Sequence, residues 1–197
     1  MLGTNEPTYP DPSPELLEAA GELRGDVSAA RLRALVESIP GPRSRLHAPD
    51  AMDTADAVIM DAWRAAGWST ERQALDLHGE WGLRDEPSDG RPRKRITRYA
   101  ELHGANLIAT KRGRETDAIV VAAHHDTVWN SPGADDNGAG VAVLMEVARL
   151  LSSESLRRTV VLAAPDFEEI GLIGSRELVR MLRGRHRVRA AIVFGFM

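Results

Sequence analysis

The chain has 197 residues, enough to bury one sizeable core but marginal for two. Hydrophobic residues make up 43% and charged residues 27%, an ordinary globular balance, and a net charge of −4 gives no electrostatic case for nucleic acid. With no cysteine, disulfides and thiolate metal sites are excluded, so a transition metal would have to be held by His, Asp and Glu, which suits zinc, manganese or cobalt.

Residues 1–14 are rich in proline and polar groups and read as a flexible tail without the basic and apolar segments of a signal peptide. No apolar run approaches the ~20 residues that span a bilayer, so no membrane partner and a cytoplasmic location are expected. Helical periodicity places Leu16, Leu17, Ala20 and Leu23 on one face and Leu32, Leu35, Val36 and Ile39 on another. After the break "PGPRSRLHAPD", a third helix aligns Met52, Ala55, Ile59, Ala62, Trp63 and Ala66 and stops at Gly67. Residues 15–67 thus form a helical lead-in to a sheet core over 68–197, within one domain.

Residues 68–77 read as an edge strand, and the polar "HGEWGLRDEPSDGRPRKR" as a long hairpin loop with a solvated basic cluster at Arg91, Arg93, Lys94 and Arg95. Strands then alternate with helices: "ANLIATKRG", the continuous apolar "DAIVVAAH", the helix "AGVAVLMEVARLLSS", "RTVVLAAP", the helix "GSRELVRMLRG" and "VRAAIVFGF". This is an α/β fold, a three-layer, largely parallel mixed sheet with helices on both faces.

Chemistry-bearing residues collect where such sheets bind ligands, at the carboxyl ends of the strands. His124 and Asp126 end one strand, Asp135 and Asp136 open the next helix, and Glu168 and Glu169 follow the next strand. Period-two alternation aims His124 and Asp126 to one side and His125 to the other, so His124 can bind a metal while Asp126 orients its ring. Adjacent Glu168 and Glu169 should point apart, one toward metal and one toward a water molecule. A carboxylate such as Asp136 can bridge two ions ~3.5–4 Å apart. Singly, each has a plainer reading as a structural histidine, a helix cap or a dipole partner. Their convergence favours a metal centre.

"HHD", "PGADDNGAGVAVLMEVARLL" and "FEEIGLIGSREL", in this order and spacing, resemble the zinc-dependent exopeptidases of metallopeptidase family 28, the bacterial aminopeptidase type. The resemblance covers residues 16–196, with its specific motifs in 120–176. It implies two zinc ions held by His124, Asp136 and Glu169, with Asp136 bridging, Glu168 as general base and Asp126 as the orienting acid. It also implies a cis peptide bond between Asp136 and Asn137. Family 20 shares the H-x-D and E-E pairs, but its bridging Asp lies much further along the chain. The activity implied is hydrolysis of the N-terminal bond of a peptide substrate.

Two family ligands have no counterpart. A further acid is expected near Gly195, which Phe194 and Phe196 flank, and a last histidine would lie beyond Met197; His186 reads as surface. The expectation is therefore a domain incomplete at its C-terminus with diminished activity. A non-catalytic relic or interaction domain, and a carboxypeptidase or amide hydrolase on the same scaffold, stand as alternatives.

Overall fold

The computed structural model describes residues 11–86 and 93–195. Most of the tail, the tip of the 78–95 segment with Arg91, and Phe196 lie outside them. Three helices lead in: α1 (Pro14–Gly25), α2 (Ala29–Ser38) and α3 (Pro49–Ala65). Ser13 and Ser28 cap the first two, each side chain accepting a backbone N–H three residues on. The apolar stripe of α1 departs from expectation. Leu16 and Leu17 remain 60% and 59% exposed, because no described element covers that face. α3 does bury its stripe, and Gly67 follows it with φ +78°, in the left-handed region that favours glycine.

The segment read as a polar loop is mostly strand. β1 (Ser69–Glu86) and β2 (Arg93–Lys111) form one long antiparallel ribbon, registered from Ser69 opposite Thr110 to Glu86 opposite Arg93. Most side chains of its outer half stay exposed, so that half carries little of the apolar–polar alternation that marks a strand in sequence. Beyond it come β3 (Glu115–Ala123), α4 (Gly140–Leu150), β4 (Arg158–Ala164), α5 (Ile173–Arg185) and β5 (Val188–Phe194). The order is β1-β2-β4-β3-β5: β3 pairs in parallel with β4 and β5, while β2 pairs antiparallel with β1 and β4.

Alternation along the central strands fills both faces. Val121, Ala123, Val160 and Leu162 pack toward α3 and α4, with Ile59, Trp63, Val141 and Leu144. Val120, Ala122, Val161 and Ala163 pack on the other side, with Leu178 and Leu182 of α5. The result is an α/β domain of three layers. Both central parallel strands end at the same rim, β3 at Ala123 and β4 at Ala164. No described helix is long and apolar enough to cross a membrane.

Candidate metal centre

β3 delivers His124, His125 and Asp126 to this rim, and β4 delivers Asp166 to Glu169. His125 N donates to Pro165 O at 3.1 Å, holding the two strand exits together. Phe167 then takes φ +55° and turns the chain back. Asp136 arrives on a wide helical turn, Ala134–Ala139, ahead of α4. Gly133, at φ +63°, occupies the cap place that sequence suggested for an acid. The Asp136–Asn137 bond is cis, as the resemblance implied. Asn137 Nδ2 donates to Phe194 O at 2.8 Å, tying this turn to the end of β5.

Four of the five expected residues meet. His124 Nε2 lies 3.0 Å from Asp136 Oδ1 and 3.9 Å from Glu168 Oε2. Its other ring nitrogen is 3.5 Å from Asp126 Oδ1 and 3.2 Å from Asp126 O. Asp126 does more than face the ring. Its two oxygens accept the backbone N–H groups of Glu168 and Glu169, each at 3.2 Å, so one buried carboxylate spans both strand exits. Glu168 and Glu169 do diverge. Glu169 turns to Lys94, whose ammonium is 3.4 Å from Oε2 and 3.2 Å from the Glu169 carbonyl oxygen. Among the described residues, no three His, Asp or Glu side chains stand close enough together to hold an ion.

The electrostatics favour a cation. Burial alone would lower the His124 pKa, but Asp126, then Glu168 and Asp136, outweigh it and raise it to about 9. Burial would raise Asp126, yet His124 keeps it below the usual range. Burial pushes Glu168 up against the pull of His124, with Asp126 and Asp136 adding repulsion. Burial likewise raises Glu169, with Lys94 opposing and three neighbouring acids assisting. An imidazole nitrogen and several carboxylates at one rim are a donor set suited to zinc, and a cation would relieve their repulsion.

Sequence reading missed the layer behind this rim. Arg45 donates through Nε to Asp166 Oδ2 at 2.9 Å, and also pairs with Asp53 at 2.6 Å and with Asp56. Asp56 Oδ1 lies 3.0 Å from His125 Nε2. Asp56, a charged residue inside the apolar stripe of α3, was the one legible sign of it.

A sheet that gathers a histidine and several acids at the carboxyl ends of parallel strands defines the class, an α/β domain with its ligand-binding rim at that edge. Residues 106–196 match the model of peptidase family M28. It is 37% identical over 103 residues to aminopeptidase YwaD of Bacillus subtilis, covering 51% of this chain and 23% of that protein. The chain thus spans about a quarter of that relative's length. A zinc aminopeptidase structure from Bacillus subtilis superposes with TM-score 0.69 at 16% identity, covering 86% of this chain and 69% of that one. A glutaminyl cyclase structure from Macrostomum lignano gives 0.71 at 17%, covering 96% and 59%. These two likenesses show the fold alone.

Proposed function

We propose that this chain carries part of a two-zinc aminopeptidase centre that hydrolyses the N-terminal bond of peptides. The observation that carries this reading is the meeting of His124 Nε2 with Asp136 Oδ1 at 3.0 Å, with Glu168 Oε2 at 3.9 Å from the same nitrogen. His124, Asp136 and Glu169 would hold the metal, with Asp136 shared between ions. Bound zinc would supply polarisation of the scissile carbonyl and acidification of a water molecule. Glu168 would accept a proton from a water molecule and pass it to the leaving amine, and its raised pKa suits both halves of the task. Asp126 holds the His124 ring and, through the two backbone N–H groups, keeps Glu168 facing it. Glu169 would have to leave Lys94, 3.4 Å from its Oε2, to join the centre.

The test assays aminoacyl anilides with added zinc, using this chain and any longer polypeptide that contains it, each beside its Glu168→Gln variant. Loss of general-base catalysis should cost about 10²–10⁴-fold in kcat. Zinc-dependent turnover that survives Glu168→Gln would sink the mechanism. Cyclisation of an N-terminal glutaminyl peptide without anilide hydrolysis would replace the reading by that of a cyclase.

A further inference from the structure

Arg43 is 1% exposed. Among the described residues its guanidinium hydrogen-bonds only to carbonyl oxygens: Nε donates to His125 O at 2.5 Å, Nη1 to Pro40 O at 3.4 Å and Pro132 O at 3.3 Å, and Nη2 to Gly133 O at 3.2 Å. Its main chain is engaged as well. Arg43 N donates to Thr127 Oγ1 at 3.0 Å, and Thr127 N donates to Arg43 O at 2.9 Å. One residue therefore joins the 40–44 segment to both loops of the centre. His125 sits between His124 and Asp126; Gly133 starts the turn that bears Asp136 and accepts Gly138 N at 2.8 Å.

A buried cation surrounded by carbonyls is costly unless its geometry serves a purpose or nearby charge offsets it. Asp126 and Asp136 provide that offset. Burial pulls the Arg43 pKa down to about 10, and these two acids hold it there, so it stays charged at neutral pH. Only a planar fork of five N–H donors can reach carbonyls on both sides at once; a lysine ammonium has three donors at one point.

We propose that Arg43 is a positioning residue that sets the spacing of His124 and Asp136 by gripping the carbonyls of His125 and Gly133 on one guanidinium. Its functional meaning rests on the metal-centre reading above. The loop containing it was read from sequence only as a helix break, since the His125 and Gly133 carbonyls it joins lie more than 80 residues away.

The test compares Arg43→Lys, Arg43→Met and Thr127→Val with the wild type. Thr127→Val removes only the side-chain bonds to the Arg43 main chain, so it remains informative if the arginine variants do not fold. Leu178→Ala, on the far face of the sheet, controls for lost stability. Two readouts are taken: Co²⁺ affinity from the visible absorption of the bound ion, and the His124 Nε2–H proton resonance of the metal-free protein. Supporting a bound ligand through its neighbours is worth about 10–100-fold in metal affinity, so both arginine variants should lose that much, and Thr127→Val about threefold. The imidazole resonance should weaken or vanish in the same variants and persist in Leu178→Ala. A folded Arg43→Lys, or Thr127→Val, with wild-type affinity and an unchanged resonance would overturn the proposal. If the wild type binds no Co²⁺, the metal-centre reading fails, and the imidazole resonance alone decides whether Arg43 sets the spacing.

Discussion

His124 and His125 are neighbours in sequence, both buried, and their surroundings are opposite. Around His125, acids and bases alternate: Asp56 faces His125, Arg45 and Arg72, while Arg45 also reaches Asp166 and Asp53. Around His124, three acids converge on one ring, and the nearby Arg43 is engaged with carbonyls. The first arrangement is complete and holds the lead-in against the sheet. The second leaves negative charge uncompensated, which folding alone does not reward. Adjacent residues can thus belong one to structure and the other to chemistry.

The largest effect is expected at Asp56. Asp56→Ala leaves the buried His125 Nε2 without its partner and takes one acid from Arg45, and losing one partner of a buried pair costs about 3–5 kcal/mol. Urea denaturation should show that loss; a change under about 1 kcal/mol would mean the network is slack.

Zinc should have the next largest effect, at His124 only. At 100 times its Kd it stabilises by about 2.7 kcal/mol, read as a rise in melting temperature. The proton on His124 competes with it. With a folded pKa raised to about 9, the protonated ring contributes stability fully below its usual 6.5 and loses it as pH rises through 9. The zinc-induced shift should therefore grow from pH 6 to pH 9. A shift that shrinks over this range would exclude His124 as a ligand.

A balanced cluster far from the rim supplies a control. Glu146, 3% exposed, accepts from Arg149 and Arg31, whose hydrogen bonds hold its pKa down to about 2. Its stabilisation is present above its ordinary 4.5 and disappears as pH falls toward 2. The two arginine side chains stay 42% and 37% exposed, so Glu146→Gln should cost only about 1–2 kcal/mol at pH 7. Denaturation curves of variant and wild type should converge near pH 2.

The smallest effect has the opposite sign. Glu168 carries a raised pKa, so its ionisation opposes folding at pH 7, and Glu168→Gln should stabilise the metal-free protein. Its side chain is 32% exposed, and solvent screening limits the gain to a few tenths of a kcal/mol. A destabilised variant would show that Glu168 is partnered like the acids around His125.

What sequence made legible was local. The apolar β3 and β4, α4 with its stripe, and the H-x-D, D-D-N and E-E groups all depend on spacing within a few residues, and each lies where the pattern placed it. The outer half of the β1–β2 ribbon escaped because its few covered residues, such as Gly82 and Tyr99, meet distant segments and leave no run of alternating apolar residues. Arg43 and Arg45 escaped because long-range bonds to carbonyls and acids leave no periodicity. Lys94, read as a solvated charge, sits on Glu169 because the ribbon folds over the turn after β4, where Leu83 N donates to Ile170 O at 2.8 Å. The exposed stripe of α1 is the reverse case, a clear pattern without a covering surface among the described residues.

The carboxylate of Asp126 reaches from the exit of β3 to two successive amides at the exit of β4. Neighbouring strands can slip only in steps of one residue, about 3.3 Å, and a slip of one step turns every side chain to the opposite face. Either strand moving by one step would carry Asp126 out of reach of both amides and separate His124 from Glu168. The centre therefore acts as a gauge of sheet register. Molecules that mispair these strands while folding would not bring His124 and Glu168 together.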